Sequence, residues 1–279
     1  MNQPSEKPAW ICATCGVQTA PAQSPPNHCD ICEDERQYVG WKGQQWTTLR
    51  DIQNAHRNIV EEEEPRVHSI RTDPHFGIGQ RAYLIRTSAG NLLWDCVSLL
   101  DAASVTRVKA LGGVKAIAIS HPHYYSSMRE WSEAFGGAPV YLHSGDRQWV
   151  RRRNTNIVYW EGASLPLFGG VTLVNGAGHF DGYQVAHWPD GADGLGALFA
   201  GDQPQVAMDR RWVSFLYSYP NMIPLSAAQV RFIVQSLEPF VFDRLYGAFG
   251  RNVMTDAKGA VRRSADRYIR FLEGSANGL

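Results

Sequence analysis

Beyond residue 66 the hydrophobic positions follow two periods, one of two residues and one near 3.6. RAYLIRT and NLLWDC flank Ser88-Ala89-Gly90 and predict a hairpin. AASVTRVKALGG carries Val105, Val108 and Leu111 at helical spacing and ends on glycines. VKAIAIS is a short apolar run and predicts a buried strand. SSMREWSEAFGG is helical again through Met128, Trp131 and Phe135. PVYLHS, VTLVNG, YQVAHW and ALFAGD predict further strands. In LSAAQVRFIVQSL, Ser226 precedes Gln229 by three residues, the spacing of a capping box. TDAKGAVRRSADRYIRFLEG predicts a terminal amphipathic helix. Strands interleaved with helices predict an α/β layered domain over residues 66–279.

Upstream the pattern changes. Residues 38–65 read as a polar connector with a short helix, ending at Pro65, and the run Glu61–Glu64 reads as a solvated face. Residues 1–37 are poor in apolar positions and rich in proline, and within them WICATCGVQTAPAQSPPNHCDIC holds two CxxC pairs. Cys12, Cys15, Cys29 and Cys32 can place four thiolates around one ion, and the loop between them has too little apolar content to hold its shape otherwise. A small N-terminal zinc-binding segment is therefore expected. Disulfides or free thiols are the plainer reading. Iron is a lesser alternative, because CATCG suits a rubredoxin knuckle while CDICE lacks the matching glycine. His28 lies beside Cys29, but four cysteines already satisfy zinc.

Composition narrows the function classes. The 279 residues suit one large domain with a small appendage, and 44% hydrophobic residues supply a core. Lys+Arg and Asp+Glu both number 27, so neither a nucleic acid nor a membrane surface is the expected partner. The triplet Arg151, Arg152, Arg153 reads as a solvated loop or helix end, with anion binding as the alternative. No stretch is long and apolar enough to span a bilayer, and MNQPSEKPAW has no signal-peptide pattern. A cytoplasmic location is expected, with cysteines as thiols or metal ligands.

Four residues at strand ends then stand out. His121 and His123 close the VKAIAIS strand, and if the backbone is extended their side chains share one side. His179 sits in a glycine-flanked turn and Asp202 ends the ALFAGD strand. Three imidazoles and a carboxylate make a first coordination shell for zinc or iron. His143 and His187 read as structural, Cys96 as a buried thiol, and His75 as a loop residue either structural or bordering a cleft. Asp181 either orients an imidazole, meets substrate or stabilises its turn.

GQRAYLIRTSAGNLLWDC, ISHPHYYSS, GAGHFDGYQVAHW and FAGD, in this order over residues 66–250, resemble the metallo-β-lactamase fold superfamily. The resemblance implies an αββα sandwich with its site along one sheet edge. In that family the motif reads HxHxDH. Here Tyr125 stands at the aspartate position, Ser126 at the third histidine, and Phe249 at a later histidine. The family uses those three positions for its second metal. The resemblance therefore implies a centre reduced to one ion, held by His121, His123 and His179, with Asp202 as terminal ligand or acceptor. Tyr125 is either a phenol acting as ligand, acid or oxyanion donor, or an aromatic plug. Tyr124 is expected to point away and pack.

The function implied is a mononuclear metal-dependent hydrolase of a small ester, lactone, thioester or amide, using a metal-bound water positioned by Asp202. Phosphodiesters are disfavoured. A non-hydrolytic iron-dependent oxidoreductase and a non-catalytic protein acting through its zinc module are the alternatives. A homo-oligomer is left open.

Overall fold

The computed structural model describes residues 7–153 and 156–274. The ends of the expected N-terminal segment and of the large domain, residues 1–6 and 275–279, lie outside the described residues. Among the described residues, two sheets face each other and helices cover both outer faces, which is the αββα architecture.

The first sheet has seven strands. Its central strand is Gly90–Trp94, and the neighbouring Ala116–Ala118 runs parallel to it on one side and to Val140–His143 on the other. Strand Ala82–Thr87 pairs antiparallel with Gly90–Trp94, forming the expected hairpin. The second sheet has six strands, with Ala197–Gly201 between Gln184–Trp188 and Arg244–Gly247.

Side-chain alternation explains why these strands are apolar on both faces. Tyr83, Ile85, Leu92, Trp94, Ala116 and Ala118 point between the sheets, where they meet Leu173, Trp188 and Phe199. Their neighbours Leu84, Leu93 and Ile117 point outward onto Val108, Met128 and Trp131 of helices Ala102–Ala110 and Met128–Ala134. Helices Ala227–Leu237 and Ala257–Leu272 cover the second sheet through Val230, Ile233, Leu237 and Val261. The capping box forms as predicted, with Ser226 and Gln229 bonded reciprocally.

The expected connector over 38–65 carries more structure than its composition indicated. Trp46–Thr48 joins Ala9–Cys12 and Gln18–Pro21 in a small N-terminal sheet, and Leu49–Ala55 is the short helix. Arg57–Glu64 is an edge strand of the seven-stranded sheet, paired with Val67–Asp73, so that sheet begins at Arg57 and not at residue 66. Its glutamates are not all a solvated face. Glu61 and Glu62 are exposed, but Glu63 accepts from Arg81 Nη1 at 2.8 Å and from Ser69 Oγ at 2.6 Å, and Glu64 pairs with Arg244. Charge on an edge strand discourages pairing with other chains, and it also hides the strand from a hydrophobicity pattern.

The N-terminal segment docks on the sandwich through specific contacts. Ser98 Oγ donates to the Gly16 carbonyl at 2.9 Å. Arg151 pairs with Asp30 at 2.7 Å, and Arg152 bonds both Glu130 and Gln18. Two arginines of the triplet are thus spent on docking this segment, which corrects their reading as a solvated run.

Candidate metal centre

His121 leaves the strand Ala116–Ala118 in extended conformation, φ −167° and ψ 172°. The next three residues, Pro122–Tyr124, then form a 3₁₀ turn with proline at its start. The two histidines are therefore not presented by strand alternation; the turn carries His123 round to the same side. His123 Nδ1 lies 3.5 Å from His179 Nε2, and His121 Nε2 lies 3.5 Å from Asp202 Oδ2, itself 4.0 Å from His179 Nε2. One donor atom from each of the four residues lies within 4.8 Å of the others, and all four residues are buried.

Two glycines permit this convergence. Gly201, before Asp202, has φ +65°, and a Cβ there would lie 2.8 Å from both Ser120 Oγ and the Tyr183 hydroxyl. Gly178, before His179, has φ +95° and sits 3.1 Å from Leu225 by the same measure. Both positions are strained for any other residue.

The outward hydrogen bonds fix which ring nitrogens face the cluster. Ser120 Oγ donates to Asp95 Oδ1 at 2.8 Å, so it must accept from His121 Nδ1–H at 2.9 Å, which leaves a lone pair on Nε2. His179 Nδ1–H donates to the Tyr217 carbonyl at 2.7 Å, which leaves a lone pair on its Nε2 as well. His121 Nε2 is buried and has no hydrogen-bond partner. Burial holds all three imidazoles below their ordinary values and therefore neutral, with the charge of Arg36 adding to the effect. Burial likewise pushes the Asp202 carboxyl up to about 7, against the lowering effect of hydrogen bonds from Tyr183 and Tyr124. Lone pairs turned toward one another in a dry site are costly without a cation, and one divalent ion would satisfy them together. Tetrahedral zinc with bonds of about 2.0–2.1 Å has ligand–ligand edges of roughly 3.4 Å, so the set fits.

The second cluster is Cys12, Cys15, Cys29 and Cys32, again within 4.8 Å and buried. Cys12 Sγ is 3.5 Å from Cys32 Sγ, and Cys15 Sγ is 3.7 Å from Cys29 Sγ. Zinc–sulfur bonds of about 2.3 Å predict tetrahedral edges of roughly 3.8 Å, so zinc fits here too.

Tyr124, expected to pack away, instead turns its hydroxyl to Asp202 Oδ2 at 3.3 Å, with its ring 4.4 Å from that of His121. Tyr125, read as either a functional phenol or an aromatic plug, sends its hydroxyl to the Asp146 carbonyl at 3.5 Å and packs in the apolar layer under the helices, which suits the plug. The 3₁₀ turn is the reason. It rotates each residue by about a third of a turn, so the alternation of a strand no longer applies. Ser126 accepts from Gln80 Nε2 at 3.1 Å and Phe249 borders the cleft, so neither completes a second set of ligands.

The cleft over His123, His179 and Asp202 has a volume of about 290 Å³. His75 borders it, as one of its two readings allowed. Asp181 faces solvent and its carbonyl accepts from Asn175 at 3.1 Å, which suits the turn role. His143 packs its ring 4.6 Å from Trp160, and His187 Nε2 bonds the Val241 carbonyl at 2.7 Å, both structural as expected. Sequence reasoning missed Arg36 and Tyr219, which also line the cleft. Tyr219 is half-buried there, and its buried hydroxyl has no acceptor for its proton among the described residues. Neither residue lies in a motif, and both reach the cleft only through the packing of the N-terminal segment and the 216–224 hairpin.

No protein-family model matches the sequence. The uncharacterized protein YmaE of Bacillus subtilis (strain 168) is 49% identical over 267 residues, covering 95% of this chain and 97% of that protein. Among solved structures, VMB-1 superposes with a TM-score of 0.59 at 11% identity, over 79% of this chain and 99% of that one. DIM-1 metallo-beta-lactamase gives 0.58 at 12% identity, over 79% and 99%. A B3 metallo-beta-lactamase with an active-site glutamic acid gives 0.52 at 20% identity, over 77% and 89%. At these identities the likeness establishes the fold. Among the described residues no helix is long and apolar enough to cross a membrane.

Proposed function

The chain belongs to the family of Bacillus subtilis YmaE and has the metallo-β-lactamase fold, and from that premise we propose that it is a hydrolase of a small ester, lactone, thioester or amide, working with one metal ion. The observation that carries this reading is the convergence of four buried residues able to hold one ion, His121, His123, His179 and Asp202, the last three of them lining a cleft. Zinc or iron held there would polarise a carbonyl and lower the pKa of a coordinated water toward neutrality.

The chain's own groups supply the rest. Ser120 and the Tyr217 carbonyl hold the two histidine rings in the tautomer that presents Nε2. Asp202 is held by the Tyr124 hydroxyl, which donates to Oδ2 at 3.3 Å, and by the Tyr183 hydroxyl, which gives its proton to the Ala200 carbonyl and accepts the Asp202 backbone N–H at 3.0 Å. Burial pushes this carboxyl up to about 7 in the metal-free site; with an ion held there it would be ionised and would position the coordinated water. Tyr219, with its hydroxyl proton unspent, replaces Tyr125 as the candidate donor to a developing oxyanion. We further propose a structural zinc in the four-cysteine segment.

The test is a panel of chromogenic esters, thioesters, lactones and amides, offered to protein carrying two equivalents of zinc. The reading expects cleavage of at least one class, and a fall of at least a hundredfold in Asp202→Asn and in His179→Ala with the four-cysteine ion retained. Fully loaded protein that cleaves none of them, or variants that cleave as well as the parent, would overturn it.

A further inference from the structure

The four-cysteine segment does more than sit beside the cleft. Thr14, between the first two cysteines, and Arg36, Gln37 and Tyr38, just after the last, form one wall of it, facing His123, His179 and Asp202. That wall is fixed in place. Asn221 Nδ2 donates to the carbonyls of Glu35 at 2.9 Å and Gln37 at 3.0 Å, and Ser218 Oγ donates to the carbonyl of Arg36 at 3.1 Å. Both residues belong to the same hairpin whose Tyr217 carbonyl holds His179. Segment and metal cluster therefore share one support.

Arg36 is the one permanently cationic side chain among the cleft-lining residues, and Asp202 the one carboxylate. The guanidinium carbon lies 4.2 Å from the ring centre of Phe180, 4.9 Å from that of Tyr217 and 5.6 Å from that of Trp149. These cation–π contacts hold the group in place. Nε and Nη1 are buried. Asp34 Oδ1 pairs with Nη1 at 3.1 Å and also accepts the Arg36 backbone N–H at 3.0 Å. The guanidinium charge faces the metal cluster across a small cleft, where an anion such as a carboxylate can pair with it. The charge of Arg36 is also felt at His121, His123 and His179, where it helps hold the rings neutral.

We propose that Arg36 is a specificity-determining residue, and that the substrate is a small acyl compound bearing a second, anionic carboxylate that pairs with it while the scissile carbonyl lies at the histidine cluster. This deepens the hydrolase reading and rests on it. The volume of about 290 Å³ accommodates a short dicarboxylic half-ester or half-amide. The reaction that supplies this substrate is then an acylation by a dicarboxylic acid, and the product released is the free diacid.

Binding of product-like anions tests the proposal apart from turnover. Zinc-loaded full-length protein is titrated calorimetrically, at fixed ionic strength, with succinate, with acetate, and with succinamate, in which one carboxylate becomes a neutral amide. Succinate should bind at least about tenfold more tightly than the other two, the low end for a charge-assisted contact because Asp34 offsets part of the charge. Arg36→Met keeps the stem and should reduce succinate to the level of acetate; Arg36→Lys should retain most of the preference. Equal binding of succinate and succinamate by the parent protein would overturn the proposal without any variant. So would unchanged succinate binding in Arg36→Met at full metal content. Arg36-dependent succinate binding without cleavage of any ester would remove the hydrolase reading and keep the subsite. Cleavage of neutral and half-anionic esters with equal kcat/KM in parent and Arg36→Met would remove the subsite and keep the hydrolase.

Discussion

Tyr124→Phe and Tyr125→Phe differ by one position and should behave differently. The Tyr124 hydroxyl donates to Asp202 Oδ2 at 3.3 Å, and that bond is one of the effects holding the carboxyl down against burial. A hydrogen bond to a charged acceptor contributes about 1.5–3 kcal/mol, and its length argues for less, so about 1 kcal/mol is a fair figure. Losing it should raise the Asp202 midpoint by about 0.7 of a pH unit. From a starting value of about 7, more of the carboxyl is then protonated at pH 7. Apparent zinc affinity of the histidine cluster should fall about threefold there, and the difference should close by about pH 9, where the carboxyl is ionised in both proteins. Tyr125→Phe removes a 3.5 Å contact to a backbone carbonyl and should leave zinc affinity unchanged. Tyr125→Ala instead empties a buried site and should destabilise the fold by about 3–5 kcal/mol. Competition against a chromophoric chelator between pH 6 and 9, with thermal melts alongside, measures both quantities. The reasoning fails if Tyr125→Phe shifts the affinity profile and Tyr124→Phe does not.

Three further outcomes follow from the same geometry. The double variant Cys29→Ser, Cys32→Ser should lose one equivalent of zinc and raise KM, because the wall made by Thr14 and Arg36–Tyr38 loosens; elemental analysis showing full zinc content would refute this. Asn221→Ala removes two hydrogen bonds to the Glu35 and Gln37 carbonyls, a loss of about 1–2 kcal/mol that should appear as faster amide exchange over residues 34–38 with both ions retained. Metal-free protein should lose stability as pH rises from about 6.5 to 8. The carboxyls of Asp95, Asp146 and Asp202 are raised by burial to about 8, 7 and 7 from an unfolded value of 3.8, so the stability that their protonation contributes is lost as pH climbs through those values. The three lowered histidines act oppositely, adding stability as pH rises, but only up to their unfolded value of 6.5. Melting across this window, with and without zinc, should show the decline and its reduction by the metal, since zinc removes the share owed to Asp202.

Much of this architecture was legible because its signals are local. Short apolar runs in AYLIRT and NLLW, helical spacing in Val105, Val108 and Met128, Trp131, and the Ser226–Gln229 box each report on a few neighbouring residues. The cysteine and histidine clusters were legible for another reason: few residue types can hold a metal, and strand ends are where a layered fold gathers them. The edge strand Arg57–Glu64 was hidden because charge that protects an edge also erases the apolar pattern. The turn of Tyr124 toward Asp202 was hidden because a proline-led 3₁₀ turn follows a strand without announcing itself. Arg36 and Tyr219 were hidden because their positions depend on contacts across the chain, such as those of Asn221 with Glu35 and Gln37.

The most direct test of the account is a crystal grown at saturating zinc, with anomalous diffraction measured on both sides of the zinc edge. The account predicts two ions per chain. One lies among Cys12, Cys15, Cys29 and Cys32, and one is bound by His121 Nε2, His123 Nδ1, His179 Nε2 and Asp202 Oδ2. A second ion about 3.5–4 Å from the one at the histidines, as in two-metal sites, or no ion there at all, would contradict it.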